Sequence, residues 1–186
     1  LLTDDVTRFT ALVEDLLEIS RYDVGTASLR AEPIDLVEFV RQSVHHSPDD
    51  VVIDVGALDH LVVAGDKRRL AQVVANLVDN AAKYGAGEIR VAVGQEDDFA
   101  IIAVEDEGPG VPEAERSVIF DRFSRGSAGG RRGHGTGSGL GLALVAEHVG
   151  LHGGDVWVDD RLDGSEGARF TVRIPIGDIP DDEEWA

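Results

Sequence analysis

The chain has 186 residues, enough for one compact domain of ordinary size and a small additional element. Its 17 lysine and arginine residues stand against 36 aspartate and glutamate residues, and the net charge of −19 disfavours nucleic acid and anionic lipid surfaces as partners. The absence of cysteine excludes disulfides, thiolate metal sites and cysteine nucleophiles. No apolar run approaches the roughly 20 residues of a membrane-spanning helix, so we expect no membrane contact by this chain. Because it begins Leu-Leu and contains no methionine, we expect it to be a piece of a longer protein.

A first helix is predicted at the amino terminus, where residues 1–23 contain neither proline nor glycine and Gly25 follows. Its apolar residues step by three and four and form a face broader than a helix lying on a domain surface needs. We therefore expect this helix to be buried in a bundle with helices of a second subunit. Docking onto the chain's own domain is the alternative.

Strands and helices then follow in mixed order. Capping by Asp35 predicts a helix to about residue 46, and Asp66 opens a longer helix that runs through Tyr84 and ends at Gly85. The other predicted elements are strands at 28–34, 51–55 and 61–64, a hairpin of 88–93 with 99–105, a helix at 139–152 and closing strands at 155–159 and 169–174. This order predicts an α/β fold, a two-layer sandwich in which helices cover one face of a mixed β-sheet, followed by an acidic tail at 177–186.

A polar face runs along the helix that begins after Asp66. Gln72, Asn76, Asn80 and Lys83 fall at steps of four, four and three, so they share one side of the helix. An amide oxygen is a neutral hard ligand for Mg²⁺, which keeps several waters when it binds phosphates. The alternative is a solvated stripe, although asparagine forms helices poorly and solvated faces usually carry charged residues.

The segment Asp106-Glu-Gly108-Pro-Gly110 directly follows a predicted strand. An aspartate at a strand end can accept a hydrogen bond from an exocyclic amine such as that of adenine, and glycines let the backbone approach a flat ring closely. A simple turn after the strand is the alternative.

A glycine-rich segment, GHGTGSGLGL at 133–142, opens the helix predicted from Gly139. Glycines before a helix make an anion site suited to phosphates. The segment matches neither the P-loop nor the G-x-G-x-x-G pattern, which disfavours P-loop, Rossmann and eukaryotic-type kinase enzymes. A flexible linker is the alternative.

Four arginines lie shortly before that segment, where a polyphosphate could be tolerated in so acidic a protein. The glycines among them predict a mobile lid, with a solubilising loop as the alternative. These arginines are Arg122, Arg125, Arg131 and Arg132.

Four motifs in this order resemble the sensor histidine kinases of two-component systems. Residues 76–84 (NLVDNAAKY) resemble their N box and Asp106-x-Gly-x-Gly110 their G1 box. Residues 120–123 (FDRF) resemble the F box and 137–142 (GSGLGL) the G2 box. Residues 12–21 are similar to the second helix of their dimerisation and phosphotransfer domain. The resemblance implies the Bergerat ATP-binding fold, with residues 1–25 as part of the dimerisation domain, 26–176 as the ATP-binding domain and 177–186 as a tail.

The resemblance also implies roles for individual residues, with ATP and Mg²⁺ as cofactors. Asn80 would hold Mg²⁺, and Asn76 and Lys83 would face the phosphates. Arg122 or Arg125 would neutralise the γ-phosphate during transfer, where positioning and electrostatics dominate. The other implied nucleotide-binding residues are Tyr84, Asp106, Gly108 and Gly110, and the backbone of Gly137, Ser138, Gly139, Leu140 and Gly141, with about 126–136 as the lid.

The phosphate acceptor departs from the family pattern. None of the six histidines has the acidic neighbour and the partner helix of the family's acceptor, so we expect the chain to lack it. The resemblance implies two partners: the dimerisation domain of a second subunit, in a homodimer, and a response regulator. It also implies that this portion is cytoplasmic and that the parent protein lies in the bacterial inner membrane.

Two other functions are weighed against histidine phosphorylation. Hydrolysing relatives carry a glutamate at the position of Asn76, and an amide cannot act as that general base. A non-catalytic nucleotide sensor is the remaining alternative, and it would not need Asn80, Lys83 and Arg122.

Overall fold

The computed structural model describes residues 9–10, 13, 16–20, 22, 28–45, 51–124 and 139–177. Seven strands and three α-helices follow the helical amino-terminal residues within these ranges. They are β1 (Glu32–Asp35), α1 (Leu36–Val44), β2 (Val51–Asp54), β3 (Val62–Gly65), α2 (Lys67–Tyr84), β4 (Ile89–Glu96), β5 (Phe99–Glu105), α3 (Gly141–Leu151), β6 (Asp155–Asp159) and β7 (Arg169–Pro175). A short 3₁₀ helix, Glu113–Glu115, lies between β5 and α3.

The main sheet has five strands in the order β2-β4-β5-β7-β6. The pair of β2 and β4 is parallel and the other pairs are antiparallel, so the sheet is mixed as predicted. β1 and β3 form a separate antiparallel pair. β5 lies at the centre, and its residues from Ala100 to Glu105 are all buried. This confirms the α/β sandwich.

The long helix α2 forms where its cap and its apolar spacing predict it. The Asp66 carboxylate accepts a hydrogen bond from the Arg69 amide at 3.1 Å, which satisfies one of the free amides of the first turn. The side chains that α2 buries in the core recur every three or four residues: Leu70, Val73, Val74, Leu77, Val78 and Ala81. The opposite, polar side of α2 is therefore left available for a site.

Two predicted boundaries were wrong. Strand pairing begins at Glu32 rather than at residue 28, because β1 pairs only with the four residues of β3. Helix α3 begins at Gly141 rather than at Gly139, whose φ of +70° lies outside the right-handed helical region.

The amino-terminal segment touches the rest of the chain through one face. Ile19 is buried in a cluster with Leu140 and Leu144 of α3. Phe9 and Leu16 are more than half exposed. The alternative of docking on the chain's own domain thus holds for one face, and a bundle with a second subunit stays a prediction for the exposed face.

A partly buried polar network joins the same segment to α2 and α3, and it was not foreseen from the sequence. Glu18 accepts from Arg68 at 2.9 Å and from Arg69 at 3.0 Å. Tyr22 and His148 are in contact at 2.5 Å through the hydroxyl and Nδ1, and Arg69 donates to both. Burial, with the charge of Arg69, lowers the pKa of His148 to about 4, so this ring is neutral at physiological pH.

Candidate nucleotide site

Helix α2 and helix α3 meet at a contact between two of the predicted motifs. Asn76 is half-buried on the polar side of α2, and its Nδ2 donates to the Gly141 carbonyl oxygen at 3.1 Å. Gln72 Nε2 lies 3.5 Å from Asn76 Oδ1. The N-box helix is therefore held against the end of the G2 segment.

The last turn of α2 carries a cation that is already paired. Lys83 forms an ion pair with Asp79, one turn earlier on the same helix, and both side chains are about half exposed. Asn80 and Tyr84 are half-buried on the same turn. An incoming phosphate would thus compete with a carboxylate for Lys83.

Asp106 lies at the end of β5 and is only 5% exposed. Its Oδ1 accepts a hydrogen bond from the Gly108 amide at 2.8 Å. Burial raises the pKa of this carboxyl, although the Gly108 hydrogen bond and the charge of Arg161 oppose the rise. A buried carboxyl with one oxygen held by its own loop leaves the other as an acceptor for a ligand.

The G1 loop lies directly against the end of α2. A Cβ on Gly108 would stand 2.7 Å from the Gly85 Cα and 3.1 Å from the Tyr84 carbonyl oxygen, so this approach requires glycine. Gly110 has a φ of +68° and a carbonyl oxygen of Gly167 close behind it. Asp106 is thereby brought next to the last turn of α2.

The F-box segment packs on the G2 segment. The Phe123 amide donates to the Gly139 carbonyl oxygen at 2.9 Å, and a Cβ on Gly139 would stand 3.0 Å from the Phe123 backbone. Phe123 has a φ of +61° and its side chain is 64% exposed, a strained and exposed position typical of functional loops. Arg122 pairs with Glu147 of α3 at 3.1 Å.

Among the predicted G2 residues, Leu140 turns its side chain into the cluster with Ile19 and Leu144, so this side chain does not face the site. The predicted residues Arg125, Gly137 and Ser138, and the lid at about 126–136, lie outside the described residues.

The oxygen ligands available on α2 suit Mg²⁺ only if phosphate oxygens and water complete its coordination. Within the described ranges, no three His, Cys, Asp or Glu side chains are grouped closely enough to hold a metal. The amide of Asn80 is half-buried on the polar side of α2. One protein oxygen completed by water and phosphate oxygens is a usual arrangement for Mg²⁺, so the residues present fit this ion.

Sequence reasoning missed the arginines behind the G1 loop. Arg116 donates to the Val111 carbonyl oxygen at 3.0 Å and to Asp160 at 2.5 Å. Arg161 pairs with Glu107 at 3.4 Å, and Arg169 pairs with Glu105. No local sequence signal identifies the three ion pairs with carboxylates, because each joins residues more than 40 positions apart.

Comparison with known proteins identifies the family to which the chain is similar. The family model of the histidine kinase-, DNA gyrase B- and HSP90-like ATPases matches residues 65–178. The chain is 35% identical over 184 residues to the signal transduction histidine-protein kinase AfsQ2 of Streptomyces coelicolor, covering 99% of this chain and 34% of that protein. It thus spans about a third of the length of such curated relatives.

Solved structures share the fold. The mycobacterial sensor histidine kinase MprB superposes with a TM-score of 0.64 at 33% identity, over 78% of this chain and 97% of that one. Full-length ShkA in complex with AMPPNP superposes with a TM-score of 0.72 at 29% identity, over 91% of this chain and 36% of that one.

In the part of the chain that the structure describes, no helix is both long and apolar enough to cross a membrane.

Proposed function

Because the chain belongs to the histidine kinase-, DNA gyrase B- and HSP90-like ATPase family and is a histidine-kinase ATP-binding catalytic domain, we propose that it transfers the γ-phosphate of Mg-ATP to a histidine. That histidine lies on a dimerisation domain outside this chain. One observation carries the proposal: the polar side of α2, the G1 loop and the start of α3 meet through the contacts of Asn76 with Gly141 and of Gly108 with Gly85.

The adenine end of the site is assigned to Asp106. Its second carboxylate oxygen accepts a hydrogen bond from the adenine amino group, and the glycines at 108 and 110 leave room for the ring. Tyr84, half-buried at the end of α2, lies beside the nucleotide. This arrangement orients the base and, with it, the triphosphate.

The phosphate end of the site is assigned to α2 and the G2 segment. Asn76 and Lys83 face the phosphates, and the backbone amides of residues 137–141 surround them at the start of α3. Arg122 or Arg125 neutralises charge on the γ-phosphate as the bond between its phosphorus and the β–γ bridging oxygen breaks. To contact the phosphates, Lys83 must break its ion pair with Asp79, and Arg122 must break its ion pair with Glu147.

Asn80 is assigned as the magnesium ligand of the protein. When bound, the ion supplies charge neutralisation and orientation of the triphosphate. The protein's part is to present one amide oxygen at a fixed place on α2, a rigid helix of 18 residues.

The partners follow from the family. A second subunit is assigned to the amino-terminal segment, whose exposed Phe9, Leu16 and Leu17 suit a helical bundle. The phosphohistidine then passes its phosphate to an aspartate of a response regulator. The parent protein is assigned to the bacterial inner membrane, with this part on the cytoplasmic side.

The test is phosphorylation of a separate acceptor. The chain is mixed with labelled Mg-ATP and a purified dimerisation domain of a related kinase that carries the acceptor histidine. We expect acid-labile label on the added domain and none on the chain itself, and the Asn80→Ala variant should abolish it. Robust label on the chain alone, or ATP binding without any label on the added domain, would refute the transfer.

A further inference from the structure

The loop between β6 and β7, residues 160–168, forms the back of the G1 loop. The Asp106 amide donates to the Ala168 carbonyl oxygen at 3.0 Å. Gly167 must be glycine, since a Cβ there would overlap the Asp106 carbonyl oxygen and stand 2.6 Å from Arg161 Cδ. The backbone that presents Asp106 is therefore supported by this loop.

Arg161 is the charged residue of that loop that reaches the G1 segment. Its side chain is only 11% exposed, unusual for arginine, and Nη1 donates to Glu107 Oε1 at 3.4 Å. Its Nη2 donates to Asp163 at 3.2 Å. A largely buried arginine with two carboxylate partners is fixed in place, so it can fix what it touches.

Glu107 extends the support to the end of α2. Its second carboxylate oxygen lies 3.4 Å from the Glu88 amide, and its own amide donates to the Ala86 carbonyl oxygen at 2.9 Å. The residue next to Asp106 is thus held between the α2–β4 connection and Arg161. A change at Arg161 would be transmitted to Asp106 through this residue.

The charge of Arg161 also acts on Asp106, more weakly than burial and the hydrogen bonds of Gly108 and Ala168. Burial raises the pKa of the Asp106 carboxyl, and the positive charge of Arg161 acts against that rise. Several charged groups on the elements packed around Asp106 are already in ion pairs: Glu105 with Arg169, Lys83 with Asp79, Glu88 with Arg90, Asp160 with Arg116, and Glu107 and Asp163 with Arg161 itself. Glu166 is exposed on the β6–β7 loop.

We propose that Arg161 is a positioning residue for adenine, which acts through Glu107 to hold the Asp106 carboxylate where it accepts the hydrogen bond of the adenine amino group. This inference rests on the proposed role of Asp106. According to this proposal, the β6–β7 loop supports the preference of the site for adenine over a purine that lacks the amino group.

The experiment compares the affinities of Mg-ATP and Mg-ITP, because inosine carries an oxo group in place of the amino group while the triphosphate is the same. Dissociation constants are measured by calorimetry between pH 5 and 8 for the unmodified chain and for the Arg161→Gln, Arg161→Lys and Arg173→Gln variants. Arg173 is the matched control, since it also lies beside a carboxylate, Asp155, and its Nε is also buried without a hydrogen bond.

We expect Arg161→Gln to weaken ATP about tenfold and to leave ITP nearly unchanged, the loss of about one charge-assisted hydrogen bond. The ATP preference should fall on acidification as Asp106 becomes protonated, and Arg161→Gln should move this fall to higher pH. Arg161→Lys should keep the pH of the fall and recover part of the preference. Arg173→Gln should change neither.

Two outcomes separate this inference from the function on which it rests. An unmodified chain without preference for ATP over ITP would overturn the role of Asp106, and the inference with it. A preference that survives Arg161→Gln, or equal losses for both nucleotides, would overturn only the inference. If Arg161→Gln does not fold, Glu107→Gln breaks the same ion pair from the other side and must lower the ATP preference; an unchanged preference would overturn the inference.

Discussion

The two ends of the cleft are built differently. At the proposed adenine end, Asp106 is buried, the backbone packs so closely that a Cβ on Gly108 would stand 2.7 Å from the Gly85 Cα, and Arg161 pairs with Glu107 of the same loop. At the phosphate end, Asn80 is half-buried and the charge of Lys83 is balanced by Asp79 on an exposed turn of α2. In the proposed site, the base end is thus organised by the fold, whereas the phosphate end would have to exchange protein carboxylates for ligand phosphates.

This difference follows from charge. A protein with a net charge of −19 repels a triphosphate unless local cations are available. Exposed ion pairs contribute little to stability, so their cations can change partners at small cost. A buried carboxylate cannot be rearranged so easily, because its position and its protonation are set by the surrounding structure.

The largest effect is expected from Asp106→Asn. The amide would turn a donor toward the adenine amino group or lose the Gly108 hydrogen bond, and ATP affinity should fall about 100-fold, the loss of roughly 3 kcal/mol. Calorimetry with Mg-ATP measures it. Asp155→Asn, which removes an exposed carboxylate at the far edge of the sheet, is the control. A loss of ATP affinity below threefold would contradict the assignment of Asp106 to adenine binding.

Two glycine substitutions sharpen the comparison next. Gly108→Ala places a Cβ 2.7 Å from Gly85 Cα, so the free energy of unfolding should fall by about 2 kcal/mol even without nucleotide. Gly141→Ala places its Cβ 3.7 Å from Asn76, an ordinary contact, and should not lower stability, because helix α3 favours alanine over glycine. The added methyl group would crowd the proposed phosphate end of the site, so ATP affinity should fall about tenfold.

Urea unfolding with and without Mg-ATP separates the two variants. The difference between the two ends would be contradicted if Gly141→Ala destabilised the empty chain as much as Gly108→Ala does.

The smallest effect is expected from Asp79→Asn, and it is a gain. Removing the carboxylate frees Lys83 for phosphate, and Mg-ATP affinity should rise about threefold at low salt, typical of one exposed ion pair. The gain should shrink as salt is added, and adenosine should bind unchanged. An unchanged or weaker affinity for Mg-ATP would show that Lys83 does not face the phosphates.

Much of this architecture follows from local sequence. The cap at Asp66 and the apolar spacing of α2 place the helix, and the polar residues opposite that apolar face fall on one side of it by helical geometry alone. The four motifs in order predicted the fold, which the sheet topology and the related structures confirm.

The remainder depends on contacts between distant segments. Nothing near Arg161 in sequence indicates that it meets Glu107, 54 positions earlier. The pairing of Tyr22 with His148 across 126 positions is equally invisible, because a tyrosine and a histidine in helices are usually read as ordinary surface or core residues. Such pairs are fixed by the packing of the whole domain, which sequence periodicity does not report.

A single cleft that binds one magnesium-bound triphosphate is the premise of the proposed function. The direct measurement is calorimetric titration of the chain with ATP in the presence of Mg²⁺ and again after chelation of the ion. We expect one nucleotide per chain and a clear loss of affinity without the ion. Absence of binding, or binding of equal strength with and without Mg²⁺, would contradict the account.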